Sequence, residues 1–293
     1  MYAIDFVDRT FSKDLSGTYD LSIQANQHGL AYCIFDRSAN IFIVFRKQSF
    51  EHLRLQEDLT SQIVNILQKD NTLDLSFHSV RFLGYTRHST LVPDAFYDRS
   101  SMHEYLSFNL SDDADRELFS NHIAPPGLYN VFALRRDLVS VITLHFKKVE
   151  FLSQTTSFLR HIVSGQDALA TPAVHIGLNT VFFDMACTGN GGLKHYNTFQ
   201  YESENDLLYY VLYIYKQLGF DTRQVPLYIS GELSSKLSYY EILRQYISNT
   251  AYAAPQKIPA LASGLQQLNL VKFLNLLNIQ TCALSAEHTG AEK

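Results

Sequence analysis

The sequence predicts an α/β protein made of two similar lobes. Three antiparallel strands, a helix and a further strand follow one another twice along the chain, first before residue 90 and again after Pro172. A length of 293 residues accommodates two domains, and 46% hydrophobic with 18% charged residues is typical of a globular protein with a large core. Helices between strands of a mixed sheet are the expected result, because parallel strands need crossover connections.

In the first repeat, apolar and polar residues alternate in three runs, at 19–25, 30–35 and 41–46. Turn residues separate these runs, so the pattern predicts an antiparallel meander. Apolar residues at steps of three and four predict a helix over 51–69, and a strand is expected at 79–85.

The second repeat has its three strands at 173–178, 180–187 and 193–201. Ser203 is the expected N-cap of a helix over 205–218, Gly219 its expected C-cap, and a short strand follows at 226–230. The remaining helices are predicted at 101–109, 136–145, 155–164, 235–248 and 266–277.

The boundary between the lobes is expected in the stretch from Gly165 to Pro172, where a glycine and a proline interrupt the pattern. This assigns residues 1–168 to the first lobe and 169–293 to the second.

Charge and targeting signals exclude several classes of protein. The balance of 24 basic against 29 acidic residues argues against a nucleic-acid coat. No stretch has the properties of a signal peptide, and none reaches the roughly 20 apolar residues of a membrane helix. The three widely spaced cysteines, Cys33, Cys187 and Cys282, are expected to be buried free thiols. We therefore expect a cytoplasmic protein without membrane insertion.

Residues with metal-ligand chemistry are present but lack the spacing of a metal site. Asp112, Asp113 and Asp115 are interpreted as a solvated loop or helix start, with a cation site as the less favoured reading. The eleven histidines form no HExxH or HxH motif, so each is expected at the surface or satisfied in the core.

Several segments resemble a known bacterial family. They include the opening meander, the segment from Ser89 to Asp98, the segment from Glu104 to Asn109, and the run from Val271 to Leu277 with Cys282 beyond it. The family is catalogued as a domain of unknown function, is found mainly in Bacteroidetes, and is associated with an actin-like (duplicated ribonuclease-H-like) ATPase fold. The resemblance implies two ribonuclease-H-like lobes with a cleft between them, which agrees with the repeated order of strands and helices.

Nucleotide-binding proteins of the actin, Hsp70 and sugar-kinase group resemble one another in the first hairpin of each lobe, where Asp-x-Gly-(Ser/Thr/Gly) organises the metal and the phosphates. In the first lobe the corresponding turn follows Gln24 and has no aspartate. In the second lobe His175 stands where the carboxylate is expected, although Gly177 remains. The late Gly-Gly pair corresponds to Gly231 followed by Glu232. All three motifs have lost the residues that carry the chemistry.

These positions define a candidate inter-lobe cleft, formed by Gln24, Asn26, His28, His175, Gly177, Asn179, Thr180, Gly231 and Glu232. No catalytic residue, metal site or cofactor is expected in it. We hypothesise a non-catalytic scaffold or protein-interaction module. The alternative is a nucleotide-binding ATPase or phosphotransferase that uses Mg-ATP and takes a carboxylate from Glu232, Asp184 or Asp20.

The run from Leu207 to Tyr215 is apolar around nearly the whole helix. Packing between the sheet and neighbouring helices explains such a pattern, and contact of its tyrosine face with another chain is the alternative. Tyr239, Tyr240 and Tyr246 on the next helix could extend that face. A protein partner or self-association is therefore expected.

Overall fold

A computed structural model describes residues 2–50, 56–108, 115–164, 169–231, 237–255, 258–266 and 269–280. Structural statements below concern these residues. Glu232, Asp112, Asp113 and Cys282 lie outside them.

The strands in chain order are β1 (Ile4–Val7), β2 (Tyr19–Asn26), β3 (Gly29–Asp36), β4 (Ile41–Ser49), β5 (Ser79–Gly84), β6 (Ser89–Pro93), β7 (Arg116–Ile123), β8 (Leu128–Arg135), β9 (Glu150–Ser153), β10 (Ala173–Leu178), β11 (Phe182–Gly189), β12 (Gly192–Gln200), β13 (Leu227–Gly231), β14 (Thr250–Tyr252) and β15 (Ala260–Leu261). The helices are α1 (Gln56–Lys69), α2 (Met102–Ser107), α3 (Arg136–His145), α4 (Gln154–Val163), α5 (Glu204–Gln217) and α6 (Leu237–Tyr246). Residues 274–280 are also helical. No helix in the described residues combines the length and apolar character needed to cross a membrane.

The first lobe is built on a sheet with the order β1-β4-β3-β2-β5-β9, and β15 pairs with β4 beside this path. Strands β2, β3 and β4 form the predicted antiparallel meander, and β5 lies parallel to β2 after the α1 crossover. The second lobe repeats this plan in the order β12-β11-β10-β13-β14, with β13 parallel to β10 after α5. The predicted α/β fold of two similar lobes is confirmed.

A three-stranded sheet of order β6-β8-β7 lies between β5 and β9 in the chain. None of these three strands was predicted from the sequence. Strand β7 was not predictable from the sequence, because its residues, RELFSNHI, alternate only weakly between apolar and polar. It is held by antiparallel pairing with β8 along all eight of its residues.

The end of the described chain returns to the first lobe. Strand β15 pairs with β4, and Phe273, Leu276 and Leu277 pack in the same core cluster as Phe45 and Leu83. The predicted helix at 266–277 is instead a 3-10 turn at Leu270–Phe273 that continues into the helical residues 274–280. The lobe boundary at residue 168 stays a prediction, and this last segment packs against the first sheet whichever lobe is assigned to it.

A buried carboxylate, that of Asp70, is held by residues of β3 and β4 in the first sheet. The Asp70 carboxylate accepts hydrogen bonds from the hydroxyls of Tyr2 and Tyr32 and from the backbone N–H of Thr72, and it pairs with Arg46 Nη1 at 3.1 Å. Burial alone would raise the pKa of Asp70, but these donors and the guanidinium lower it below its ordinary value. The Asp70 carboxylate is therefore ionised near neutral pH.

Helix α4 joins the two lobes. Its first turn is fully buried, and the hydroxyls of Thr155 on this helix and Tyr196 on β12 lie 2.7 Å apart. The Tyr196 hydroxyl also donates to Asp184 Oδ1 at 2.8 Å, as does the hydroxyl of Thr198. Burial raises the pKa of Asp184 to about 6, and the hydrogen bonds from Thr198 and Tyr196 only partly oppose it. The junction thus contains a carboxyl group whose charge is disfavoured.

Candidate functional site

Two hairpin turns, one from each lobe, meet across a cleft. The β2–β3 turn contributes Asn26 and His28, and the β10–β11 turn contributes Asn179 and Thr180. Both turns lie at the carboxyl ends of strands that have a parallel neighbour, which is where α/β sheets bind ligands. The four residues line one cavity of about 260 Å³. The structure therefore brings together four of the nine residues of the candidate cleft.

In the first-lobe turn, a side-chain amide closes the hairpin. Asn26 Oδ1 accepts a hydrogen bond from the backbone N–H of His28 at 2.9 Å. Gln24 is buried two residues earlier, does not line the cavity, and its Oε1 has no hydrogen-bond partner among the described residues. An Asx turn needs only a side-chain oxygen as acceptor, so the Asn26 amide is sufficient to close it. The amide is uncharged, however, and does not supply the negative charge that a metal ion requires.

Just before the second-lobe turn, at the end of β10, the phenyl ring of Phe158 covers Gly177. A Cβ on Gly177 would lie 3.3 Å from two ring carbons of Phe158, which is buried on α4. His175, two residues earlier, stacks on Tyr228 with ring centroids 5.2 Å apart. Burial and the neighbouring His161 lower the pKa of His175 to about 3, so its ring is neutral near pH 7. Neither His175 nor Gly177 lines the cavity.

Gly231 ends β13 with a positive φ of 94°. A Cβ at this position would lie 2.8 Å from the backbone nitrogen of Leu178 and closer still to its carbonyl oxygen. The glycine is therefore required by the close approach of the backbones of β10 and β13. Glu232, the next residue of the candidate cleft, lies outside the described residues.

The remaining wall of the cavity is basic, and sequence reasoning missed it. Arg87 follows β5, Arg116 begins β7 and Arg135 ends β8, and none of the described lining residues carries a carboxylate. Arg135 forms an ion pair with Asp137 at 2.8 Å. Arg87 Nη1 donates to Gln200 Oε1 at 2.5 Å and so connects the lobes. No spacing in the sequence could have grouped these arginines, because the unpredicted third sheet brings two of them to the cleft.

The two described carboxylates considered as nucleotide-site alternatives lie elsewhere. Asp20 is near the start of β2, at the opposite end of the strand from the turn, and accepts hydrogen bonds from Gln280 at 2.6 Å and Ser79 at 2.7 Å. Asp184 is buried at the α4 junction. The described residues contain no group of three or more histidine, cysteine, aspartate or glutamate side chains that could hold a metal ion. These side chains do not fit Mg-ATP as the actin-like group binds it.

A pair of tyrosines is exposed on the outer face of the second lobe. A capping box at Ser203 starts α5, and Leu207 and Val211 bury one face of the helix against the sheet. The other face exposes Tyr209 by 62% and Tyr213 by 45%, with ring centroids 6.0 Å apart in a stacked arrangement. We refer to Tyr209 and Tyr213 as the tyrosine pair. The helix therefore combines a buried stripe with an accessible aromatic one.

Residues 8–250 match a family described as "Protein of unknown function (DUF3822)". The chain belongs to this family. No curated protein matches the chain.

The family member described here is similar to a crystal structure from Bacteroides thetaiotaomicron VPI-5482, of a protein with an actin-like ATPase fold and unknown function. The TM-score is 0.76 at 18% identity, and the match covers 93% of this chain and 99% of that one. It is also similar to a chain of the PilM–PilN type IV pilus biogenesis complex, with a TM-score of 0.58, 9% identity, and coverage of 89% and 98%. The chain has an actin-like ATPase fold, as the resemblance of its sequence implied.

Proposed function

We propose that this protein is a non-catalytic scaffold, an actin-like fold that binds a protein partner and does not turn over nucleotide. The chain has the fold of an ATPase group in which two turns contact phosphate and metal. The main support for the proposal therefore comes from those two turns.

The observation that carries the proposal is the contact between Phe158 and Gly177. In the actin-like group, the glycine of this turn lets phosphate oxygens approach the backbone. Here the ring of Phe158 covers Gly177, with two ring carbons 3.3 Å from where a Cβ would stand. The carboxylate expected two residues earlier is replaced by the neutral imidazole of His175. Loss of both the phosphate contact and the metal-organising charge removes the basis of phosphoryl transfer.

Binding of a partner is supported by the tyrosine pair and by one structural relative. Aromatic residues with a polar edge are enriched in protein interfaces, and Tyr209 and Tyr213 are exposed although they lie on a strongly apolar helix. The PilM–PilN relative shares the fold and is a protein–protein complex.

A titration with Mg-ATP tests the non-catalytic part. A ligand that binds only the native state raises the melting temperature of the protein. Because we propose that Mg-ATP does not bind, we expect no rise in melting temperature at millimolar Mg-ATP and no heat of binding by calorimetry. A rise of several degrees, or release of inorganic phosphate above the rate of a buffer blank, would refute this part.

Site-specific photo-crosslinking in the native cell tests the scaffold part. A photoreactive residue at position 209 is expected to give a discrete protein adduct, whereas position 96 is the matched control because Phe96 is an aromatic residue that follows β6 and is 74% exposed. Sedimentation at several concentrations then separates a second copy of this chain from another protein. Equal labelling from both positions, or no adduct from position 209, would contradict a partner on this face.

A further inference from the structure

We propose that the inter-lobe cavity binds a small organic anion, a carboxylate or phosphate monoester with an apolar part, without a metal ion. The inference does not depend on the scaffold proposal. It starts from the charges that surround the cavity: Arg87, Arg116 and Arg135 line it, and no described lining residue is acidic. One of these charges is offset by the ion pair between Arg135 and Asp137. The described lining thus contributes three guanidinium groups and no carboxylate, which favours an anionic ligand.

Guanidinium groups recognise carboxylate and phosphate oxygens directly, through paired N–H donors of fixed geometry. A metal-bridged phosphate would instead require acidic ligands, and the described cavity wall contributes arginines, amides and histidines in their place. His28 also lines the cavity, and a ring nitrogen can act as a donor or an acceptor. The anion is therefore expected to bind equally well with a chelator present.

The apolar part of the cavity lining indicates what the ligand carries besides its anionic group. Leu59, Leu134, Leu138 and Phe182 are apolar side chains that line the same cavity. Its volume of about 260 Å³ is below the roughly 300–1,000 Å³ of typical pockets for drug-sized ligands. These features fit one anionic group attached to a body of about one aromatic ring, and they disfavour a nucleoside triphosphate.

The cavity is shared by both lobes, so its occupant contacts both. The β2–β3 turn and the β10–β11 turn form facing parts of the wall. A ligand held there adds contacts across the cleft to the existing hydrogen bond between Arg87 and Gln200. Binding should therefore slow hydrogen exchange in residues 26–28 and 179–182 together.

The test uses phenyl phosphate and benzoate as probes, with benzyl alcohol as the neutral comparison, on the full chain in the presence of EDTA. We expect saturable binding of at least one anion by calorimetry and none of the alcohol. Arg116→Gln and Arg87→Gln are each expected to raise the Kd by about tenfold, because a hydrogen bond to a charged group is lost. Arg99→Gln, an exposed arginine outside the cavity, should leave the Kd unchanged.

Three results would overturn the inference. The first is no binding of either anion up to about 10 mM, a limit of the order that separates a weak site from an absent one. The others are equal binding of the alcohol, and Kd values that change in neither arginine variant. If Arg116→Gln fails to fold, the exposed Arg87 still provides the decisive variant. Phenyl phosphate binding without benzoate binding identifies the anion as a phosphate, and the reverse identifies a carboxylate. Mg-ATP binding would refute the scaffold proposal without affecting these measurements in EDTA, so the two proposals fail separately.

Discussion

Replacing Asp184 with asparagine should stabilise the protein at neutral pH. The residue is 1% exposed at the α4 junction, and burial raises its pKa from 3.8 to about 6. Its folded-state pKa exceeds the unfolded value, so its contribution to stability is fully present below about pH 4 and is lost as the pH rises through 6. The difference between the two pKa values corresponds to a cost on the order of 3 kcal/mol near pH 8. The amide carries no charge and avoids this cost.

Part of the gain is offset, because the amide has one acceptor oxygen for the hydroxyls of Tyr196 and Thr198, and a lost hydrogen bond costs about 1 kcal/mol. Urea denaturation of both proteins at intervals from pH 4 to pH 8 measures the effect. The free energy of unfolding of Asp184→Asn, relative to wild type, should increase by about 2–2.5 kcal/mol from pH 4 to pH 8.

The matched control is Asp36→Asn. Hydrogen bonds from Ser38 and Ala39 outweigh the slight burial of Asp36 and lower its pKa. Its stability relative to wild type should therefore fall, by a smaller amount, as the pH rises from 4 towards neutrality. Parallel pH profiles for Asp184→Asn and wild type would refute the inference that a desolvated carboxyl group lies at the junction.

Three further substitutions test features of the fold, each by urea denaturation. Gly231→Ala should lose about 2–4 kcal/mol, because its Cβ would overlap the neighbouring strand at a positive φ, whereas Gly192→Ala, with open space around it, should change stability by less than about 1 kcal/mol. Asp70→Asn should lose about 2–3 kcal/mol at pH 7, because the Tyr2 and Tyr32 hydroxyls lose a charged acceptor and Arg46 keeps only Asp5 as a carboxylate partner. Since the pKa of Asp70 is lowered, this difference should shrink as the pH falls below about 4. Phe158→Ala should lose about 3–5 kcal/mol by leaving a cavity over the second-lobe turn.

Each of these expectations has an outcome that contradicts it. Equal stabilities of the two glycine variants would remove the argument from backbone approach. A loss for Asp70→Asn that stays constant down to pH 3 would mean that the carboxylate is not held ionised by its donors. A loss for Phe158→Ala no larger than for alanine at Phe96, which is 74% exposed, would mean that the ring does not fill the space above the glycine.

Long periodic elements were predictable because local pattern and burial agree in them. Helix α3 was expected at 136–145 and spans Arg136–His145, and the capping box at Ser203 marks the start of α5. Strands whose pattern depends on a distant partner were not predictable. The two-residue strand β15, for example, exists only through its pairing with β4, far earlier in the chain.

The residues of the candidate site likewise fall into those that could be predicted from local sequence and those that could not. Asn26, His28, Asn179 and Thr180 could be identified because strand ends and turns are local features, and the structure places them around one cavity. Whether they bind a ligand stays a prediction. The arginines of that cavity could not be identified, because no local pattern relates Arg116 to a turn at residue 26.

The return of the chain to its first sheet has a consequence for how the protein is made. Ala262, Leu265 and residues 273–279 pack in one cluster with Phe45 and Leu83, and the Gln280 amide donates to the buried Asp20. During synthesis, the meander leaves the ribosome long before the segment that covers it. The earliest strands must wait with an uncovered apolar face until the segment through Ile279 has been translated. An expression fragment cut at residue 250, where the family match ends, would keep that face open and invite aggregation.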